Sequence, residues 1–136
     1  MAAQEIICDT DVMIEYFNEK KGRHDQTKKT IEKIGLNNVL LSAVTEMELI
    51  KGISNREHGQ IVHKKLKRFN IILLSPEITL QAIELLNTYH LSRGLAIPDA
   101  LIAATALETK LNLYTYNEKD FKFIKGLKLH RATQIA

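Results

Sequence analysis

Asp9 and Asp11 stand one residue apart, at the end of an apolar run and in front of a segment with helical character. Other acids recur at comparable places. Glu46 and Glu48 follow the apolar residues 39–41, Asp99 opens a stretch that is almost wholly apolar, and Asn117 and Asp120 follow residues 111–116. Carboxylates gathered in one place repel one another and raise each other's pKa values. A bound divalent cation removes that cost, and an all-oxygen ligand set suits Mg²⁺ or Mn²⁺ rather than Zn²⁺. One or two such ions generate hydroxide from water and stabilise the leaving oxygen of a phosphodiester.

Each acid also has a plainer role to weigh. Only one of Asp9 and Asp11 can cap a helix that starts near Val12, and Asp11 is the expected cap because it immediately precedes it. Asp9 is then left at the end of an apolar strand, where an unpaired carboxylate is costly. Asp99 could simply complement a helix dipole, worth about 0.3–1 kcal/mol. Its helix is otherwise apolar, however, so its acid sits at a buried mouth. A helical wheel does not separate Glu46 from Glu48. Asn117 and Glu118 both suit the cap of a short helix, and spacing leaves Asp120 open between ligand and surface acid.

The elements that position these residues follow from periodicity. Strands are expected over residues 5–9, 39–41, 70–75, 111–116 and 127–131. Helices are expected over 12–19, 22–34, 44–53 with Ser42 as its cap, 56–69, 78–89, 98–109 with Pro98 in its first turn, and 118–124. Strands alternate with helices throughout, which predicts a parallel sheet covered on both faces. In such sheets ligands bind beyond the carboxyl ends of the strands, where these acids fall.

The chain has 136 residues, 45% hydrophobic and 26% charged, which fits a single domain over 1–136. Its one cysteine, Cys8, excludes an intrachain disulfide and fits a reducing, cytoplasmic setting. No apolar run approaches the roughly 18 residues that span a bilayer, and no signal-peptide pattern opens the chain. The net charge of +3 is mild, but the cations are grouped: Lys20, Lys21, Arg23, Lys28 and Lys29; Lys64, Lys65, Lys67 and Arg68; Lys119, Lys122, Lys125, Lys128 and Arg131. Such groups are either solvated helix faces or contacts for a polyanion. The five histidines are scattered without metal-ligand spacing, and no GxSxG, GxGxxG or Walker loop is present.

Four segments resemble the PIN-domain ribonucleases, and within them the VapC-type toxins of toxin–antitoxin pairs. They are "ICDTDVMIEYF", "SAVTEMELIKG", "RGLAIPDALIAATAL" and "TYNEKDF", in that order and covering about residues 6–131. The resemblance implies a Rossmann-like three-layer α/β/α sandwich with a mainly parallel sheet, and a Mg²⁺- or Mn²⁺-dependent endoribonuclease. It implies Asp9, Glu48 rather than Glu46, and Asp99 as catalytic metal ligands, with Asp120 or Asn117 on the fourth side. It also implies an RNA substrate, an antitoxin partner and a homodimer. Thr10, Ser42 and Thr115 are candidate hydroxyls behind the ligands, and Arg93 is a candidate contact to the RNA backbone. Position 11, usually a small polar residue in the family, is Asp here, either as a cap or as an added acid near the metal. The alternatives are a non-catalytic PIN-like module that binds RNA or protein and a haloacid-dehalogenase-like phosphatase. The latter also ends a strand with D-x-D, but Met13 stands where its motif wants Thr or Val.

Overall fold

The strands of this protein are short and apolar on both sides, so each can be stable only when covered from both faces. The computed structural model describes residues 4–131. It places β1 (Ile6–Cys8), β2 (Val39–Ser42), β3 (Asn70–Ile72) and β4 (Asn112–Tyr114) in one sheet, in the order β3-β2-β1-β4. All these pairings are parallel, with Ile7 opposite both Leu40 and Leu113. The helices are α1 (Thr10–Phe17), α2 (His24–Ile34), α3 (Ala43–Lys51), α4 (Arg56–Leu66), α5 (Pro76–Arg93) and α6 (Ile97–Thr109). This is the expected three-layer α/β/α arrangement.

The period-2 alternation of strand side chains divides the core in two. Ile6, Cys8, Val39, Leu41 and Tyr114 pack with Met13, Ile31, Val62 and Leu66 of α1, α2 and α4. Ile7 and Leu113 point the other way, into Ile78, Ala82 and Leu85 of α5 and Ala100, Ile102 and Ala103 of α6. The alanines of α6 are buried and small, which lets α5 lie close along it. Gly94, with φ +68, ends α5 and turns the chain into α6, whose first turn carries Asp99.

The strand carboxyl ends are joined to helices by short capped turns. Ser42 accepts a hydrogen bond from Val44 N at 3.1 Å, and Ser75 accepts one from Ile78 N at 3.1 Å. Pro76 therefore opens α5, and the strand before it already ends at Ile72. α4 stops at Leu66, short of the expected residue 69, because Phe69 turns into the core.

Two expectations are corrected at the C-terminal end. Residues 127–131 form no strand, only one bridge from Leu129 to Leu113, with His130 N donating to Leu113 O at 2.7 Å. β4 is itself three residues long, so its outer edge has little room for a further ladder. Residues 118–124 form not a longer helix but one 3₁₀ turn, Glu118–Asp120, pinned by the buried Phe121 and Ile124. No helix among the described residues is long and apolar enough to cross a membrane.

Candidate active site

β1 is the strand at which the sheet order reverses, with β2 and β3 on one side and β4 on the other. A crevice opens outside its carboxyl end for this topological reason. Asp9 is the first residue beyond it. α1 begins at Thr10, earlier than the sequence suggested, so Asp9 and not Asp11 occupies the N-cap position. Asp9 accepts from Thr10 N at 2.8 Å and from Thr115 Oγ1, just beyond β4, at 2.8 Å. One carboxylate thus both starts the helix and ties β1 to β4, so capping and a site role are not alternatives here.

Asp11, freed from capping, reaches across to the exit of β4. Its carboxylate accepts from Tyr116 N at 3.2 Å and lies 3.4 Å from Thr115 Oγ1. Thr115 has one hydroxyl proton, which goes to the nearer Asp9, while its oxygen receives Asn117 N at 3.0 Å. Burial, and then the charge of Asp11, push Asp9 up to about 7 despite the donors it receives. Burial also raises Asp11, against the N–H donated by Tyr116. Two neighbouring carboxyls raised in this way titrate together, and burial favours their protonated forms.

Glu48 comes from α3. Its Oε1 accepts from Thr10 Oγ1 at 2.6 Å, and Thr10 Oγ1 lies 3.0 Å from Thr45 Oγ1. Thr10 thus donates to Glu48 with the Thr45 hydroxyl beside it. Thr45 stands one helical turn before Glu48, and that spacing is the signal in the sequence that marks it. Glu46 makes no such contact. Asp99, half-buried, is pushed up to about 6 by burial and then by the charges of Asp120, Glu48 and Asp11. Asn117 Nδ2 donates to Asp120 Oδ2 across the 3₁₀ turn, so Asn117 holds the acid rather than capping with its side chain.

Asp9, Asp11, Glu48, Asp99 and Asp120 are thus brought to one sheet edge with Thr10, Thr115 and Asn117 holding them. Two expected residues stand apart. Ser42 is fully buried and its hydroxyl oxygen caps α3. Arg93 lies over the ring of Phe123, 5.6 Å from its centre. None of its described contacts joins it to the carboxylates.

The donor set fits a hard divalent cation: carboxylate oxygens, charge-crowded enough to hold protons that a metal would displace. Among the described residues no three His, Cys, Asp or Glu side chains already close on one point. Asp99 nonetheless feels the charges of Asp120, Glu48 and Asp11.

Comparisons with known proteins bear on the family and the fold. The PIN-domain family profile matches residues 6–127. The chain is 31% identical over 130 residues to "Ribonuclease VapC1" of Methanocaldococcus jannaschii, covering 93% of this chain and 87% of that one. A solved toxin–antitoxin complex from Klebsiella pneumoniae is 31% identical with a TM-score of 0.75, over 90% of this chain and 95% of the other. The VapBC2 complex of Rickettsia felis, solved with a DNA fragment from its promoter, is 26% identical with a TM-score of 0.74, over 93% and 98% of the two chains. A reversed parallel sheet, a carboxylate at nearly every strand exit and a family match along most of its length place this chain in the PIN-domain family, among its VapC-type members.

Proposed function

We propose that the protein is a Mg²⁺- or Mn²⁺-dependent endoribonuclease, the toxin of a toxin–antitoxin pair, hydrolysing RNA phosphodiesters at the carboxylate edge of the sheet. The observation that carries this reading is the convergence of Asp11, Glu48 and Asp120 charge on Asp99, beside an Asp9 that holds a proton near neutrality. Asp9, Glu48, Asp99 and Asp120 would hold one or two ions. A bound ion supplies a water of lowered pKa and stabilisation for the leaving oxygen.

The chain's own residues supply position. Thr115 holds Asp9 against β4, Thr10 backed by Thr45 holds Glu48, and Asn117 holds Asp120. Asp11 adds charge beside Asp9. Such supporting hydrogen bonds typically matter 10–100-fold for metal affinity or activity. No side chain is needed as a covalent nucleophile, because the attacking group is water.

The partners follow from the same reading. A groove of about 630 Å³ runs from Glu48 over Ile14, Phe17, Leu49 and Ile61 and suits an apolar antitoxin segment. On α5, Leu80, Ile83 and Leu91 are 67%, 51% and 96% exposed on one helical face. That stripe is the surface we assign to a homodimer. An RNA-cleaving toxin acts in the cytoplasm, where its substrate is.

The test is incubation of the purified chain with structured RNA and Mg²⁺, beside a folded Asp9→Asn variant. Cleavage that needs the metal and disappears in the variant supports the reading. Cleavage that survives Asp9→Asn refutes the site, and RNA binding without any cleavage favours the non-catalytic module. Turnover of small phosphomonoesters alone would favour a phosphatase, an alternative that the PIN-family match leaves without support.

A further inference from the structure

The fold sends the three groups of cations to different places. Lys67 and Arg68 lie between α4 and β3, at the sheet edge opposite the carboxylates, whereas Lys65 of α4 turns to Phe17 and lines the groove that runs to Glu48. Lys128 lines a cavity of about 220 Å³ with Lys110 and Asn112, beside the start of β4 and so on the same far edge. Lys20, Lys21 and Arg23 occupy the connection from α1 to α2; Lys20 lines the groove that holds Glu48, and Arg23 reaches the site through Tyr116. Its guanidinium carbon lies 4.4 Å from the centre of the Tyr116 ring.

Tyr116 is built into the site. Its N–H holds Asp11, and the residue before it, Thr115, holds Asp9. The Tyr116 hydroxyl meets Thr27 Oγ1 of α2 and receives the Tyr114 hydroxyl at 3.2 Å. The ring also stands edge-on to Tyr114, 5.6 Å between centres. Arg23 is exposed, and its guanidinium forms no ion pair with an acid among the described residues. Glu15 Oε1 takes the Arg23 backbone N–H instead, at 2.8 Å.

A site made of five carboxylates repels RNA, and a cationic side chain at its rim offsets that repulsion. A guanidinium held over an aromatic ring keeps its charge and can still offer N–H donors to a phosphate. Arg93 has a similar posture over Phe123, but that ring packs on Tyr89, 5.1 Å away, and not on a residue that holds a carboxylate. We infer that Arg23, held on the Tyr116 ring, binds an RNA backbone phosphate beside the carboxylates and sets the position of the strand across them. This rests on the ribonuclease reading above.

The test is fluorescence anisotropy of a fluorescein-labelled poly(A) oligonucleotide with EDTA present, across a salt series, so that binding is read without cleavage. Arg23→Ala should weaken binding on the order of fivefold and lower the slope of log K against log salt by about 0.7, one single-strand phosphate contact. Arg68→Ala and Arg93→Ala should leave both unchanged. Tyr116→Leu should match Arg23→Ala, with no added loss in the double variant. The inference is overturned by an unchanged slope in Arg23→Ala, by an equal loss in Arg68→Ala or Arg93→Ala, or by an unaltered chain that does not bind. Mg²⁺-dependent cleavage by the unaltered chain is measured in parallel. No cleavage with the Arg23 effect intact removes the ribonuclease reading and keeps the contact. Cleavage with an unchanged KM in Arg23→Ala removes the contact alone.

Discussion

Asp9→Asn should make the metal-free protein more stable at pH 8, although it alters a buried, doubly hydrogen-bonded residue. The carboxyl ionises at about 3.8 in the unfolded chain and at about 7 in the folded one. Between those values the folded state holds the extra proton, so stability is lost as pH rises through that window. Above it the ionised folded state carries the whole cost, roughly 4 kcal/mol at about 1.36 kcal/mol per pH unit. Asparagine removes the charge. Its Oδ1 keeps the bond from Thr10 N, and its Nδ2 can donate to Thr115 Oγ1 in place of the bond now received, at a loss of about 1 kcal/mol. The net gain is about 2–3 kcal/mol, or roughly 10 °C in Tm for a chain of this size. The assay is thermal and urea unfolding of both proteins in EDTA from pH 4 to pH 8. The gain should shrink towards pH 4, where the wild-type carboxyl is protonated. A destabilised variant at pH 8, or a difference independent of pH, refutes the reasoning.

Thr115→Val keeps the shape but leaves the buried Asp9 Oδ2 without its donor. It should cost about 1–3 kcal/mol above pH 8, and less near pH 5, where Asp9 carries a proton; urea midpoints at the two pH values check this. Ile83→Asp places a charge in the exposed stripe of α5. It should convert a dimer to a monomer in sedimentation without lowering the Tm of the monomer, since Ile83 is not in the core.

The order of elements was legible because apolar runs of two periods alternate along the chain, and the sheet edge that gathers the acids follows from that order alone. The position of Glu48 was not legible from periodicity, since Glu46 and Glu48 share a helix and are separated only by the Thr10 contact from another element. The helix cap falls to Asp9 rather than the expected Asp11 for a physical reason. A helix can begin at the residue after a strand if that strand's last carboxylate turns back to cap it, and local sequence does not report where Thr115 stands. Arg93 looked close to Asp99 along the chain, but Gly94 reverses the path between them and Phe123 holds the guanidinium. The final strand failed because pairing depends on how much edge β4 leaves open, which is a property of the neighbour.

The claim that these carboxylates jointly hold a metal is tested most directly by calorimetric titration with Mn²⁺ at pH 6.5, repeated in buffers of different ionisation enthalpy. Asp9 is pushed up to about 7 and Asp99 to about 6, so a metal must displace protons to bind there. The account predicts Mn²⁺ binding with net release of about half a proton or more, and at least tenfold weaker binding in Asp99→Asn. Binding without proton release, or equal binding by Asp99→Asn, would contradict it.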